Sequence, residues 1–233
     1  YFIIFYANNK KPFISIILCI VYIPYIEFIQ RPSPEHTGIP AAWTILGASA
    51  IDTDHPLNVG MVGMHGNYAP NMLTNECDVL LAVGMRFDDR VTGNLETYAK
   101  QAKIIHIEID PAEVDKNVKT DVAVLGDAKK ALMALRELCV PNNHADWLNR
   151  FAELHGIEEE KIIHKDLYPT KPGLTMGEVI RSINEYTQGQ AAVVTDVGQH
   201  QMIACRYAEF KRTKSNITSG GLGTMGFALP AAI

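Results

Sequence analysis

Residues 78–93 read DVLLAVGMRFDDRVTG (Asp78–Gly93), and this stretch decides the fold. Val79-Leu80-Leu81-Ala82-Val83 is apolar at every position and rich in branched side chains. A run that short and that continuous suits a strand buried on both faces, since a half-exposed strand would alternate. Gly84 ends the run, and Arg86, Asp88, Asp89 and Arg90 follow at once. In parallel α/β sheets, ligands bind outside the carboxyl ends of the strands. A glycine there lets backbone approach a ligand closely, and an arginine offers a planar fork of donors suited to phosphate. The same residues also suit a surface turn closed by two Arg–Asp pairs, and the stretch alone leaves both readings open.

The surroundings repeat the pattern. Downstream, Leu95–Lys100 reads as a short helix and Lys103–Ile109 (KIIHIEI) as a second strand ending at Asp110-Pro111. Ala112–Asn117 reads as a helical turn, Asp121–Leu125 as a third strand, and Ala128–Cys139 as a helix for which Asp127 is a good N-cap. Upstream, Ile39–Leu46 is strand-like and ends at Gly47, Asp52–Gly66 is a loop rich in Gly and Pro, and Asn67–Cys77 reads as a helix. Strands alternating with short helices imply an α/β fold with a doubly wound parallel sheet. Three successive strand ends, Gly84–Arg90, Glu108–Asp110 and Gly126-Asp127, should then lie side by side. That convergence favours a nucleotide-sized ligand across the strand tips.

Pro141–Pro172 reads as a polar linker with one amphipathic helix at about Ala145–His155, its charge run Glu158–Lys161 a solvated face. A second α/β unit follows. Thr175 and Glu178 fit a capping box for a helix to about Thr187, and Gln190–Val197 reads as a buried strand. Gly198–Met202 turns into another helix, and Asn216–Ile233 carries TSGGLGTMGFALPAAI. The expected division is 1–35 unassigned, 36–140 a first α/β domain, 141–172 a linker and 173–233 the start of a second domain.

The first 35 residues differ from the rest. No glycine precedes Gly38, and Phe13–Ile29 is broken only by Ser15, Pro24 and Glu27. Behind Lys10 and Lys11, this segment fits the apolar part of a secretory signal, a short membrane anchor or buried core strands. Arg31-Pro32-Ser33-Pro34 reads as a junction.

Composition narrows the class of function. The 233 residues are 47% hydrophobic and 20% charged with mean hydropathy near zero, an ordinary globular balance. A net charge of −5 argues against nucleic acid, which needs a basic face. The basic run Lys211–Lys214 reads as a solvated loop. Cys19, Cys77, Cys139 and Cys205 are far apart and fit small apolar roles in a reducing compartment. The eight histidines form no spaced metal motif, which gives zinc little support.

Gly221-Leu-Gly223-Thr-Met-Gly226 matches G-x-G-x-x-G, but the dinucleotide reading also needs an acidic residue about 20 positions later, beyond the sequence. A glycine loop entering a helix also suits a diphosphate through backbone N–H groups, and a close-packed turn is the plain alternative. Gln199-His200 follows a strand and suits ligand contact or proton transfer as well as a structural place. His65 in GMHG is similarly ambiguous, His106 reads as a core or face histidine within its strand, and Thr195-Asp196 reads as a cap for the helix near Gly198.

Together these segments resemble the large catalytic subunit of acetolactate synthase, a thiamine-diphosphate enzyme family. The likeness rests on TDHPLNVGMVGMHGNYAPNM, NECDVLLAVGMRFDDRVTG, AKIIHIEIDPAEVDKNV, TDVGQHQM and TSGGLGTMGFALPAAI, in unbroken order over about Gly38–Ile233. It implies most of a middle, FAD-binding domain and the start of a thiamine-diphosphate domain. Carried over by motif, FAD would meet Thr44, Ile45, Val62, Gly63, Met64, His65, Gly84, Met85, Arg86, Phe87, Asp88, Arg90, Glu108, Ile109, Asp127 and Ala128. Thiamine diphosphate would meet Gln199, His200, Gly223, Thr224 and Met225. The family decarboxylates pyruvate and joins the remaining two carbons to pyruvate or 2-ketobutyrate, a step toward the branched-chain amino acids. The resemblance implies no catalytic residue or metal ligand within this sequence. The activating glutamate belongs to the family's first domain and the Asp–Asn motif for Mg²⁺ lies beyond residue 233, so the polypeptide as given is expected to be inactive. It also implies a homo-oligomer with a small regulatory subunit, in the bacterial cytoplasm or a plant or algal plastid. Two other readings are a non-catalytic nucleotide or FAD-binding module, and a membrane-tethered protein if residues 1–35 are an anchor.

Overall fold

Val79–Val83 lies inside a six-stranded sheet and is buried at every position, as its unbroken apolar run requires. The computed structural model describes residues 16–20, 37–139, 142–170 and 172–233. The strands are β1 (Ile16–Ile20), β2 (Ala41–Trp43), β3 (Asn58–Met61), β4 (Val79–Val83), β5 (Lys103–Glu108) and β6 (Val122–Leu125). Their spatial order is β3-β2-β1-β4-β5-β6, every pairing parallel. This is a doubly wound sheet whose order reverses between β1 and β4, where a crevice opens at the strand ends.

β1 bears on the apolar opening of the chain. Ile16–Ile20 sits at the sheet centre, with Leu18 opposite Ala41 on one side and Leu81 on the other, and Ile17 is fully buried. Of the readings for that segment, this part takes the core strand, so the sheet draws on residues before the expected boundary at 36. The rest of residues 1–35, the Arg31–Pro34 junction included, lies outside the described residues.

Elsewhere the expected elements shift in instructive ways. β3 falls inside the stretch read as a glycine-rich loop: it is short, holds Gly60 at φ +98°, and its pairing with β2 shifts register between Ala41 and Ala42. The strand expected over 39–46 shortens to Ala41–Trp43 and passes into a 3₁₀ turn at Ile45–Gly47. The helix expected at Leu95–Lys100 is a series of turns, interrupted by Ala99 at φ +47°. One helical turn forms earlier instead, because Asp88 caps it by accepting from the Arg90 amide. In order, the helices of this unit are α1 (Tyr68–Thr74), α2 (Asp89–Thr92) and α3 (Ala128–Leu138), the last capped by Asp127.

Alternate residues of β4 face two cores. Leu80 and Ala82 pack with Leu73 of α1 and with Trp147 and Phe151 of α4 (Ala145–Glu158). Leu81 and Val83 pack with Leu132 of α3 and with Ile180, Cys205 and Phe210 of the second unit. The expected linker is therefore a packed element: α4 runs through a π turn, Glu159–Ile163, into α5 (His164–Leu167). The second unit holds α6 (Met176–Thr187), β7 (Val193–Thr195), α7 (Gln199–Tyr207), β8 (Asn216–Thr218) and α8 (Ala228–Ala232), with β7 and β8 parallel. Thr175 and Glu178 form both halves of the capping box. Among the described residues no helix is long and apolar enough to cross a membrane.

Candidate functional site

The tips of β2, β4 and β7 surround one cleft of about 490 Å³. Thr44 and Ile45 leave β2 at its rim, and Met85–Val91 leaves β4 along one wall. Val197 and Gly220–Gly223 form the other wall. Two groups of residues that the motifs assign to different cofactors thus share one opening. A Cβ on Gly220 would come within 3.0 Å of Leu46 Cδ2, so glycine lets this wall lie against the first unit.

The β4 loop divides its labour. Met85 and Phe87 point inward and are buried, while Arg86 keeps half its side chain exposed. Arg86 Nη2 donates to Asp88 at 2.8 Å, and Arg90 Nε stands 3.9 Å from Asp89. Both Arg–Asp pairs of the turn reading are present, yet exposed pairs of this kind hold weakly, so the guanidiniums remain available. The Arg90 amide and the nearby arginines hold the Asp88 carboxyl below its usual range.

Val62, Gly63 and Met64 line an adjoining cleft of about 320 Å³ with Arg90. Here the Met64 amide donates to the Arg90 carbonyl at 2.7 Å. Gly63 requires glycine twice over: φ is +112°, and a Cβ would lie 2.9 Å from the Arg90 carbonyl oxygen. His65 follows next to this loop. Glu108, Ile109, Asp127 and Ala128 line neither cleft. They sit at the adjacent tips of β5 and β6, where the Gly126 amide donates to the Glu108 carbonyl at 2.9 Å. Glu108 Oε1 accepts the Ile109 and Asp110 amides, and Asp127 caps α3. Gly84 extends the ladder by donating to Ile107 at 2.8 Å, with φ +62°.

Gln199 and His200 begin α7 and are exposed, as are Thr224 and Met225. Asp196 does not cap α7. Its two carboxylate oxygens each accept the Gly226 amide at 2.8 Å, closing the G-x-G-x-x-G loop onto the β7 tip. Gly223 and Gly226 take φ of +65° and +79° in that loop. A hydrogen bond from the Val197 amide, together with that from Gly226, holds the Asp196 carboxyl below its usual range.

His106 lies below this surface, fully buried, with its Nε2 3.7 Å from Glu108 Oε2. Burial pushes its pKa below 6.5, and Glu108 opposes that only in part. The neutral ring is therefore the folded form, and below about pH 6.5 the unfolded chain binds the extra proton. Stability from this site is present above pH 6.5 and is lost as pH falls. Urea midpoints should decline between pH 7 and 5, and His106→Asn should flatten that decline; His55 shifts in the same sense and adds to it. An unchanged slope in the variant would remove His106 from the account. The lowered carboxylates start from 3.8 and act below this window.

A buried charge network joins the units behind the cleft. Arg206 of α7 pairs with Glu158 at the end of α4 and donates to the Gly66 carbonyl at 3.2 Å. Glu158 is 3% exposed and also accepts the Tyr68 amide at 2.9 Å. The charge run Glu158–Lys161 is thus no uniform solvated face. Trp147, Phe151, Leu154 and Glu158 share one face by their i, i+4, i+7, i+11 spacing, the signal that could have flagged it. Lys211, read as part of a solvated loop, pairs with Asp52 and Asp54 across the units.

With this geometry in place, comparison with known proteins gives the class. Residues 34–135 match the thiamine pyrophosphate enzyme central domain, and residues 196–233 match the C-terminal TPP binding domain of the same enzymes. The chain thus carries the central domain and the start of the C-terminal domain of thiamine pyrophosphate (thiamine diphosphate) enzymes. Among such enzymes, the chain is similar to acetolactate synthase large subunits. It is 43% identical over 204 residues to a probable acetolactate synthase large subunit of Methanocaldococcus jannaschii, covering 85% of this chain and 34% of that protein. It is 42% identical over 226 residues to the acetolactate synthase large subunit of Lactococcus lactis, covering 97% of this chain and 38% of that protein. The latter match runs into the first 35 residues, which the sequence motifs had left apart. Acetolactate synthase 1, chloroplastic, of Nicotiana tabacum is 42% identical over 200 residues, covering 85% of this chain and 30% of that protein. The chain spans about a third of the length of the curated relatives it matches.

Proposed function

We propose that this chain is part of an acetolactate synthase catalytic subunit, which joins two pyruvates, or pyruvate and 2-ketobutyrate, with loss of CO₂. The observation that carries the reading is the single cleft in which the Arg86 loop faces the G-x-G-x-x-G loop. The support is its likeness, at about 42% identity, to relatives that are named for this activity. Thiamine diphosphate, when bound, supplies the electron sink for decarboxylation. The residues here fit a diphosphate and a dinucleotide: exposed guanidinium donors on one wall, and glycines on the other that allow close backbone approach.

In this reading Arg86, Arg90 and the Val62–His65 loop hold FAD, while Thr44 and Ile45 border it. Gln199, His200 and Gly223–Met225 bind and orient thiamine diphosphate, and Asp196 keeps their loop in place. Glu108, Ile109, Asp127 and Ala128 shape the neighbouring strand tips, where the extended FAD would reach. Among the described residues no group of three or more His, Cys, Asp or Glu is placed to hold Mg²⁺. A homo-oligomer, a small regulatory subunit and a cytoplasmic or plastid setting belong to the same proposal. Its support is that relatives are named large subunits, some of them chloroplastic.

The test is flavin binding. Arg86→Ala should weaken FAD binding by about 1.5–3 kcal/mol, the usual worth of a hydrogen bond to a charged group. Flavin absorbance retained after gel filtration measures it. Unchanged flavin content in the variant would sink the strand-tip assignment.

A further inference from the structure

We propose that Arg206 is a positioning residue that ties the FAD loop to the thiamine-diphosphate helix, so that the two cofactors bind with linked affinities. The proposal rests on the cofactor assignments above. Helix α7 carries Gln199 and His200 at its start and Arg206 in its last turn. A helix this short is a stiff spacer, so a displacement at one end is carried to the other. At the far end the planar guanidinium meets two partners at once, Glu158 and the Gly66 carbonyl. A lysine ammonium is a point charge on a flexible stem and lacks that fixed fork.

The loop on the other side of this contact has little freedom. Asn71 holds Gly63 by both its amide and its carbonyl, each at 2.8 Å. Asn67 Oδ1 accepts the Met61 amide at 2.9 Å, and Glu158 accepts the Tyr68 amide. Gly66 is packed so closely that a Cβ would lie 2.3 Å from the Met61 carbonyl oxygen. A ligand that displaces Val62–His65 therefore carries the Gly66 carbonyl with it, where Arg206 meets it. At the near end of α7, the Asp196 clamp on Gly226 joins the helix start to the glycine loop. One line of contacts thus runs from the flavin loop through Arg206 to both thiamine-diphosphate segments. Linkage of this kind is reciprocal: whatever factor FAD applies to thiamine diphosphate, thiamine diphosphate applies to FAD.

The experiment is a pair of calorimetric titrations with thiamine diphosphate, with and without saturating FAD, on the full chain and two variants. Arg206→Lys keeps the charge, and Arg206→Met combined with Glu158→Gln removes both buried charges, so that neither variant leaves a lone charge buried. In the unsubstituted chain FAD should tighten thiamine diphosphate by about five-fold or more, the lower end of ordinary coupling. In both variants that ratio should fall below about two-fold, whereas a merely structural residue would weaken binding with and without FAD alike. Wild-type linkage persisting in either folded variant overturns the proposal. Binding of both cofactors with independent affinities in the unsubstituted chain overturns it too, and leaves the proposed function standing. Binding of neither overturns both.

Discussion

Glu158→Ala should lower the free energy of unfolding by about 3–5 kcal/mol, the range for breaking one side of a buried ion pair. Glu158 is 3% exposed, and it serves the Arg206 guanidinium and the Tyr68 amide together. Removing it leaves a guanidinium inside the interface with the Gly66 carbonyl as its remaining hydrogen-bond acceptor among the described residues, beside the Tyr207 ring, and leaves the first amide of α1 without its acceptor. The Arg206 side chain is 17% exposed, so some water reaches the orphaned charge and the lower half of the range is expected. Glu158→Gln keeps an acceptor for Tyr68 and should recover part of the loss. Urea unfolding at pH 7.5 gives both numbers. A loss under about 1 kcal/mol would put the pair in the class of surface salt bridges and contradict the network.

Phe87→Ala should cost about 3–5 kcal/mol, the usual penalty for emptying a buried aromatic site. The ring is 2% exposed and meets His106 edge-on at 5.1 Å and Tyr98 at 6.3 Å. It holds the β4 loop down, since the residue itself sits at φ +51° and its carbonyl accepts from Asn117 at 3.2 Å. Arg86 and Asp88 flank it, so under the proposed function flavin binding should weaken along with stability. Thermal unfolding and flavin content measured together check this. A stable variant with an intact flavin level would mean the loop is held by its backbone alone.

The sheet was legible wherever burial was continuous. Val79–Val83 needed no context, because an unbroken branched apolar run has few other places to go. Lys103–Glu108 was nearly as plain. Val122–Leu125, half-buried and exposed in alternation, was legible from its branched apolar residues rather than from burial. The Asp127 cap and the Thr175/Glu178 box were legible because they depend on local hydrogen bonds. β3 escaped because Asn58-Val-Gly-Met61 carries two turn-forming residues, and only its pairing with β2 makes it a strand. β1 was one of several readings for an apolar segment, since local pattern cannot tell a central strand from an anchor. The strand-tip cleft was partly legible: neighbouring tips could be inferred, but Gly220–Gly223 opposite Arg86 is a product of how the two units pack. Arg206, Glu158 and Asp196 act through partners 30 to 140 residues away, and spacing along the chain cannot reveal such pairings.

The face of the sheet formed by Leu81 and Val83 is covered by α3 together with Ile180, Cys205 and Phe210. One apolar core therefore belongs to both units, and Cys205 lies so deep in it that its thiol is pushed up to about 12. The opposite face is closed by the helix between them. Among the described residues no seam remains along which the chain could be cut into self-sufficient halves. Exchange of modules with a relative would have to carry residues 145–210 as a block with the sheet they cover, and heat should release the units together in one cooperative transition.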